Sequence, residues 1–294
     1  MKYRESHRLA ETAIRFKTSE KTVKKWWKRW DGTVASLVNQ SRRPKNSPRQ
    51  TSEKMLKHMR RVLKKHRWQD LLLSYQEMVE RWEYKGSYGG FKVIARKLRG
   101  LKKPKKKKAR KKVKPYRRAE YPGQKVQLDV KFVPGKCVVN GQKYYQFTAV
   151  DECTRWAFRE IYDEHSTFSA TDFLLKFITS APFPIHKIQT DNGTEFTNAL
   201  LVVKSKHKSL FETALEEMGI QYQRIRIATP RHNGKVERQH RTDSQRFYSR
   251  LRMFSLEDGR RQLADYQRRS NNHMKTCLNL RSPNDVLADY LAIM

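Results

Sequence analysis

Acidic residues are scarce in this chain. Its 294 residues hold 29 Asp and Glu against 65 Lys and Arg, a formal net charge of +36. Cysteine is scarcer still. Cys137, Cys153 and Cys277 are odd in number and far apart, with no CxxC or His–Cys spacing. That excludes a disulfide framework and a zinc module, and predicts reduced thiols in an intracellular protein. No apolar run reaches the length of about 18 residues that a membrane span needs. The N-terminal MKYRESHRLA lacks the apolar core of a signal peptide. What remains in excess is positive charge. It predicts a polyanionic partner, because each basic group set at a phosphate releases condensed counterions. A membrane surface is the other anionic candidate. With no span or signal in the chain, nucleic acid fits better.

The first half of the chain reads as helical and basic. Residues 1–39 form an expected N-terminal unit. Leu9, Ala10, Ala13 and Ile14 recur at helical spacing, and a turn, FKTSEKT, follows. Ser19 can cap a second helix bearing Val23, Trp26, Trp27 and Trp30. Lys21, Lys24, Lys25 and Lys28 fall on its polar positions. The pattern suits a helix-turn-helix whose second helix enters a major groove, or an ordinary helical hairpin with solvated lysines. Residues 40–51 are a linker with two prolines. Residues 52–101 predict a second helix-turn-helix, with helices near 53–66 and 69–84 and a third opened by Ser87. In that last helix Phe91, Ile94, Ala95 and Leu98 make an apolar stripe, and Lys92 and Arg96 face elsewhere. Residues 102–120 are a basic linker. Its stretch 102–118, KKPKKKKARKKVKPYRR, has twelve Lys and Arg, Arg110 and Arg117 among them, and no acid. Such a block repels itself and stays extended, as a solvated tether or as a track along phosphates.

From Tyr121 the composition changes. KVQLDVKFV (125–133) alternates strictly, with Val126, Leu128, Val130 and Phe132 on one face and Gln127, Asp129 and Lys131 on the other. That is a strand. KYYQFTAVD (143–151) is a second, joined to it across Asn140–Gly141, a hairpin signal. RWAFREIY (155–162) is a third. A helix capped by Ser166 or Ser169 follows, then a strand at 186–191, a helix near 209–218, a strand at 220–228, and a long helix from about Asn233 to Met253. This order predicts a mixed five-stranded sheet with flanking helices, at residues 121–254. Residues 255–294 are expected as a helical tail.

Three carboxylates stand out. Asp129 lies mid-strand, where β propensity disfavours it. Asp191 ends the fourth strand beside Asn192–Gly193. Glu237 lies in the first turn of the long helix, a place that favours acids in any case. Singly, each has an ordinary structural reading. Together they suit Mg²⁺, which takes one or two carboxylates plus substrate phosphate oxygens. Two such ions serve an in-line displacement at phosphorus. Asp151, in DECT, reads instead as a turn residue. Asp243 lies six residues past Glu237, about 240° around the helix, so the two cannot share a face. Glu195 could support the site indirectly. Arg231, His232, Lys235 and Arg238 surround Glu237 and are candidate DNA contacts, or a solvated basic loop.

These stretches resemble a known family. LDVKF (128–132), QTDNGTEF (189–196) and ATPRHNGKVERQHR (228–241) are similar to the DDE motifs of the retroviral-integrase superfamily. The resemblance is to bacterial insertion-sequence transposases with an integrase catalytic core. TAVDECTRW (148–156) and NNHMKTCLNLRSPNDVL (271–287) resemble its supporting segments, so the likeness covers roughly 120–290. The interval from Asp191 to Glu237 holds 45 residues (237 − 191 − 1), longer than in many relatives, with the excess near 199–210. The tail segment lacks the family's usual proline before the position of His273.

The resemblance implies an RNase H-like α/β catalytic core preceded by all-α helix-turn-helix DNA-binding domains. It implies that Asp129, Asp191 and Glu237 are catalytic and hold two Mg²⁺ ions, with Mn²⁺ as a substitute. The expected activity is metal-dependent hydrolysis at transposon ends followed by 3′-hydroxyl strand transfer into target DNA. Expected partners are double-stranded DNA and further copies of the chain, as a homodimer or larger assembly, in the cytoplasm at the nucleoid. The alternative is a catalytically silent DNA-binding regulator of its own element. A tyrosine recombinase built on His58 and Arg61, or hydrolysis of RNA–DNA hybrids, would leave the three acids or the helical units unexplained.

Overall fold

The computed structural model describes residues 2–39, 50–101, 118–198, 207–226 and 229–293. Most of the 40–51 and 102–120 linkers, with Arg110 and Arg117, and most of the 199–210 stretch lie outside the described residues. The chain divides into two units, residues 1–52 and 53–294.

The first unit has three α-helices, not two: α1 (Lys2–Ser6), α2 (Leu9–Arg15) and α3 (Glu20–Trp27). The extra turn is held by ring contacts, Tyr3 stacking on His7 and meeting Phe16 edge-on. Ser19 caps α3, accepting from the Thr22 amide, which satisfies one of the orphan donors of a helix start. The core is thin: Thr12, Ala13 and Val23 are buried, and Ile14 is 79% exposed. The expected apolar stripe of α2 is therefore half uncovered. Lys21, Lys24, Lys25 and Lys28 are all exposed.

The second unit begins with a three-helix module, α4 (Glu53–Lys65), α5 (Leu71–Trp82) and α6 (Tyr88–Leu98). Met59, Leu63, Met78, Phe91 and Ala95 form its core. Asp70 and Ser87 cap α5 and α6. Lys92 is exposed and Arg96 half-buried.

A mixed sheet follows: β1 (Val126–Phe132), β2 (Tyr145–Asp151), β3 (Ala157–Tyr162), β4 (Lys187–Thr190) and β5 (Gln221–Arg224), in the order β3-β2-β1-β4-β5. β1 pairs antiparallel with β2 and β2 with β3, whereas β4 lies parallel to β1 and to β5. One face packs Val126, Leu128, Phe147 and Phe158 against α7 (Thr167–Ser180) and α8 (Leu210–Glu217), through Phe173, Leu174, Phe177 and Phe211. Each fully buried side chain of this size contributes about 1.5–3 kcal/mol. Ser166, not Ser169, caps α7. Phe132, expected on this face, ends the strand 65% exposed, its ring 5.0 Å from that of Tyr145.

The other face is covered by α9 (Gly234–Asp243) and α10 (Leu256–Ser270). Val236 meets Val150 and Ala157, and Leu263 and Tyr266 pack with Ile161, Phe247 and Tyr248. The expected long helix thus stops short of Met253. It passes from α9 into a π-helical turn, Ser244–Tyr248. Met253 instead pairs with the β1–β2 connection, its amide donating to the Cys137 carbonyl and its carbonyl accepting from Val139. The segment read as a tail supplies α10, a full layer over β3, and then α11 (Pro283–Leu291).

Candidate active site

The face of β1 that looks toward α9 carries Gln127, Asp129 and Lys131. β4 repeats the pattern: Gln189 stands two residues before Asp191, as Gln127 does before Asp129. In the parallel pair Gln127 lies opposite Gln189, and beyond it Asp129 and Asp191 are close enough for the charge of Asp191 to act on Asp129. The two glutamines do the anchoring. Gln127 accepts from the Lys235 and Val236 amides at 2.9 and 3.3 Å, and both glutamines donate to the His232 carbonyl at 2.8 and 2.9 Å. Asn233 donates to the Leu128 carbonyl at 3.2 Å. The N-terminus of α9 is thereby capped from the sheet, and Glu237 sits in the turn so fixed.

Asp129 is 18% exposed and accepts from the Val130 amide at 3.0 Å. Its carboxyl is pushed up to about 7, first by burial and then by the charge of Asp191, with Glu237 and Glu195 adding to it. Desolvation and like charges both disfavour the ionised form. Asp191 accepts from the Gly193 amide at 3.1 Å. Glu237 is exposed. Glu195 is buried against His165, 3.0 Å away. It takes space that only a glycine leaves, since a Cβ on Gly193 would fall 2.4 Å from its carboxylate.

His240 Nδ1 lies 3.6 Å from Asp129. The distance is too long for a hydrogen bond, and the pair is no ion pair, because burial holds the imidazole down at about 4 and so neutral. Among the described residues no three His, Cys, Asp or Glu side chains stand close enough to hold one ion. The three acids are electrostatic neighbours rather than a closed cage. The donor set is all hard oxygen, which suits Mg²⁺ shared by carboxylates and completed by substrate phosphate.

The rival acids have structural roles. Asp151 accepts from Gly123 and from the Thr154 amide and hydroxyl, closing the β2–β3 turn. Asp243 is fully buried against Arg159 at 2.9 Å. Of the basic candidates, His232 and Arg238 are exposed, whereas Lys235 is held by Glu152 at 2.6 Å. The side chain of Arg231 lies outside the described residues. Sequence reasoning passed over Gln127, Gln189 and Glu152. The repeated Gln-x-Asp of 127–129 and 189–191 was the available signal.

Comparison with known proteins agrees with this build. The family described as an integrase core domain matches residues 119–230, a second family of the same description matches 218–279, and a helix-turn-helix domain family matches 1–45. The ORF3 protein of Spiroplasma virus SpV1-C74, itself assigned only provisionally as an integrase, is 32% identical over 170 residues, which is 55% of this chain and 47% of that protein. The chain thus spans about half the length of that relative. A chain of the simian T-cell lymphotropic virus intasome in complex with PP2A regulatory subunit B56 gamma aligns over 69% of this chain and 67% of its own, at 18% identity and a TM-score of 0.44. The catalytic core domain of BIV integrase aligns over 58% and 97%, at 16% identity and 0.43. Residues 119–279, which the integrase core domain families match, contain the mixed five-stranded sheet. The chain is thus similar to integrase core domains over residues 119–279 and to a helix-turn-helix domain over residues 1–45.

Proposed function

We propose that this protein is a DNA transposase. It binds the ends of a mobile element, hydrolyses a phosphodiester there, and joins the freed 3′-hydroxyl to a target strand. The observation that carries the reading is the state of Asp129. In a chain of net charge +36, Asp129 faces Asp191, Glu237 and Glu195 and has no Lys or Arg ion-pair partner among the described residues. A site that avoids basic partners under such an excess of them is arranged for cations from solution. Asp129, Asp191 and Glu237 would hold divalent metal, which supplies the Lewis acidity for an in-line displacement.

The chain's own residues do the rest. Gln127 and Gln189 fix the start of α9 and so the height of Glu237 over β1. Lys21, Lys24, Lys25 and Lys28 of α3, and Lys92 and Arg96 of α6, are placed for phosphate or base contact, α6 serving as a second reading helix. His232 and Arg238, exposed beside Glu237, are placed for the strand being cut. No Ser or Tyr nucleophile is required. Two ends must meet for transposition, so the working form is at least a dimer on DNA.

Purified protein and end-containing duplex provide the test. Cleavage is expected only with Mg²⁺ or Mn²⁺, and Asp129→Asn is expected to abolish it while sparing binding. Cleavage retained in that variant would refute the assignment. Binding without cleavage in the wild type would make the protein a silent regulator.

A further inference from the structure

The β2–β3 turn contains a residue in the wrong backbone. Arg155 has φ +64°, the left-handed region where a Cβ is strained and glycine or asparagine is preferred. The turn itself does not call for arginine. Asp151 accepts from the Arg155 amide at 3.1 Å and from Thr154, and a glycine at 155 would keep every one of these bonds. A strained position that the backbone does not explain points to its side chain.

That side chain lines a cavity of about 510 Å³, on the flank of α9 that carries Lys235 and Arg238. Asp129, Asp191 and Glu237 are not among its lining residues. Its cations divide into two sets. Lys235 is paired with Glu152, and Arg246 makes a two-point contact with Asp70. Arg155, Arg238 and Lys275 have no acidic ion-pair partner among the described residues. Lys275 Nζ reaches only the amide oxygen of Gln239, at 2.7 Å. Arg155 Nη1 is sealed from solvent with no hydrogen-bond partner. A buried donor without an acceptor is costly and needs an explanation. Arg155 and Arg238 are the cations of this cavity, joined by Lys275, whose ammonium burial holds down at about 7. The sealed Nη1 meets an oxyanion once the Arg155 side chain turns into the cavity, and guanidinium forks match phosphate oxygens in geometry.

We propose that this cavity binds one backbone phosphodiester of DNA, with Arg155, Arg238 and Lys275 as its ligands. It would hold a phosphate at the flank of α9 that carries Arg238, next to the strand that lies over the carboxylates. The inference rests on the transposase reading only in taking DNA as the partner. A free inorganic anion is the competing source of the same chemistry.

The test uses the full chain and a short mixed-sequence duplex, without divalent metal, across a salt series. Arg155→Gly is expected to bind about tenfold more weakly at low salt, with a salt slope shallower by about one, the signature of one lost phosphate contact. Its melting temperature should hold or rise, because glycine relieves the turn. Arg155→Lys should recover most of the affinity. Arg238→Gln, on an exposed helix position, should reproduce the loss without touching the turn, which answers for any Arg155 variant that folds poorly. The double variant should lose about one in slope, not two, because both arginines share one phosphate. Unchanged affinity and slope in Arg155→Gly or Arg238→Gln would overturn the proposal, as would a double variant losing two. Inorganic phosphate that stabilises the wild type through Arg155, with duplex binding unaffected, would assign the cavity to a free anion instead. A wild type that binds no duplex at all would remove the transposase reading itself, a different failure from these.

Discussion

Asp129 on β1 and Asp243 at the end of α9 are both acids between the sheet and the helix, and the more buried of the two is the one held ionised. Asp243 is completely enclosed, and burial alone would push its carboxyl up. Arg159 at 2.9 Å outweighs that, with Gln239 and Tyr266 donating at 2.8 and 2.9 Å, and the group stays below the usual carboxylate range. Gln146 adds a further donor at 3.1 Å. Asp129 keeps some exposure, yet its carboxyl rises to about 7 because burial and three like charges act together. The difference teaches that burial does not mark a site. Compensation separates them: Asp243 is completed by the protein, and Asp129 is left for something outside it.

The largest way to break the comparison is to remove the compensated acid. Asp243→Ala leaves Arg159 buried without its partner. Losing one member of a buried pair costs about 3–5 kcal/mol, and Arg159 already has one unpartnered nitrogen. Urea unfolding should show a loss in that range. A loss under about 1 kcal/mol would mean that water reaches Arg159 and that Asp243 is less structural than its contacts imply.

The opposite sign is expected at Asp129. Its folded pKa lies above the unfolded value, so between about 4 and 7 the folded state holds more protons, and stability falls as pH rises. Asp129→Asn removes the penalty. In metal-free buffer the variant should gain roughly 2–4 kcal/mol near pH 8, shrinking toward zero near pH 4. Thermal melts across that range measure it. A variant less stable than wild type near pH 8 would show that Asp129 is compensated after all. Because this readout needs no catalysis, it separates the electrostatics of the site from its activity.

How much of this was legible beforehand follows from what each signal depends on. β1 and β2 were readable because a strand with one buried face must alternate, and the polar face of β1 already displayed Gln127, Asp129 and Lys131. Ser19, Ser87 and Ser166 could be read as caps because capping is local. Asp191 and Glu237 are singly ordinary, an acid at a strand end and one in a first helical turn; they stand out only when grouped with Asp129, and the motif resemblance then gives them a role. The partner of Asp243 was not legible. Arg159 lies 84 residues away, and only the β2–β3 register brings it under α9. The early end of α9 was equally hidden, because the π turn at Ser244–Tyr248 answers to the packing of Phe247 and Tyr248 with α10. The arginine at position 155 reads as a plain basic residue until its φ is known.

A smaller perturbation concerns how the carboxylate side is assembled. Gln127 caps α9 with its oxygen, while its nitrogen donates to Glu152 at 2.6 Å and to the His232 carbonyl. Gln127→Ala leaves these buried groups unmet, at a cost of about 1–3 kcal/mol. Cleavage should fall further than DNA binding, because Glu237 loses its fixed height while the basic surface is untouched. Equal losses in both would mean that α9 needs no anchoring from β1.

His240 lies beside both acids and gives the smallest effect. Its Nδ1 is 3.6 Å from Asp129, its Nε2 is buried without a partner, and burial outweighs the pull of Asp243 to leave it neutral down to about 4. His240→Leu removes an unmet polar atom along with some fit, so stability near neutral pH should move by no more than about 1 kcal/mol. The acid limb is more telling. The folded pKa of His240 lies below its unfolded value, so the unfolded state binds the extra proton between about 6.5 and 4, and wild-type stability is lost as pH falls through that window. His240→Leu should flatten this loss. In the wild type the imidazole NMR signals should stay those of the neutral ring down to about pH 5. A His240 that titrates near 6.5 would place a charge-stabilising partner on it, and the nearest acid is Asp129. That would turn the uncompensated carboxylate into a compensated one and erase the contrast with Asp243.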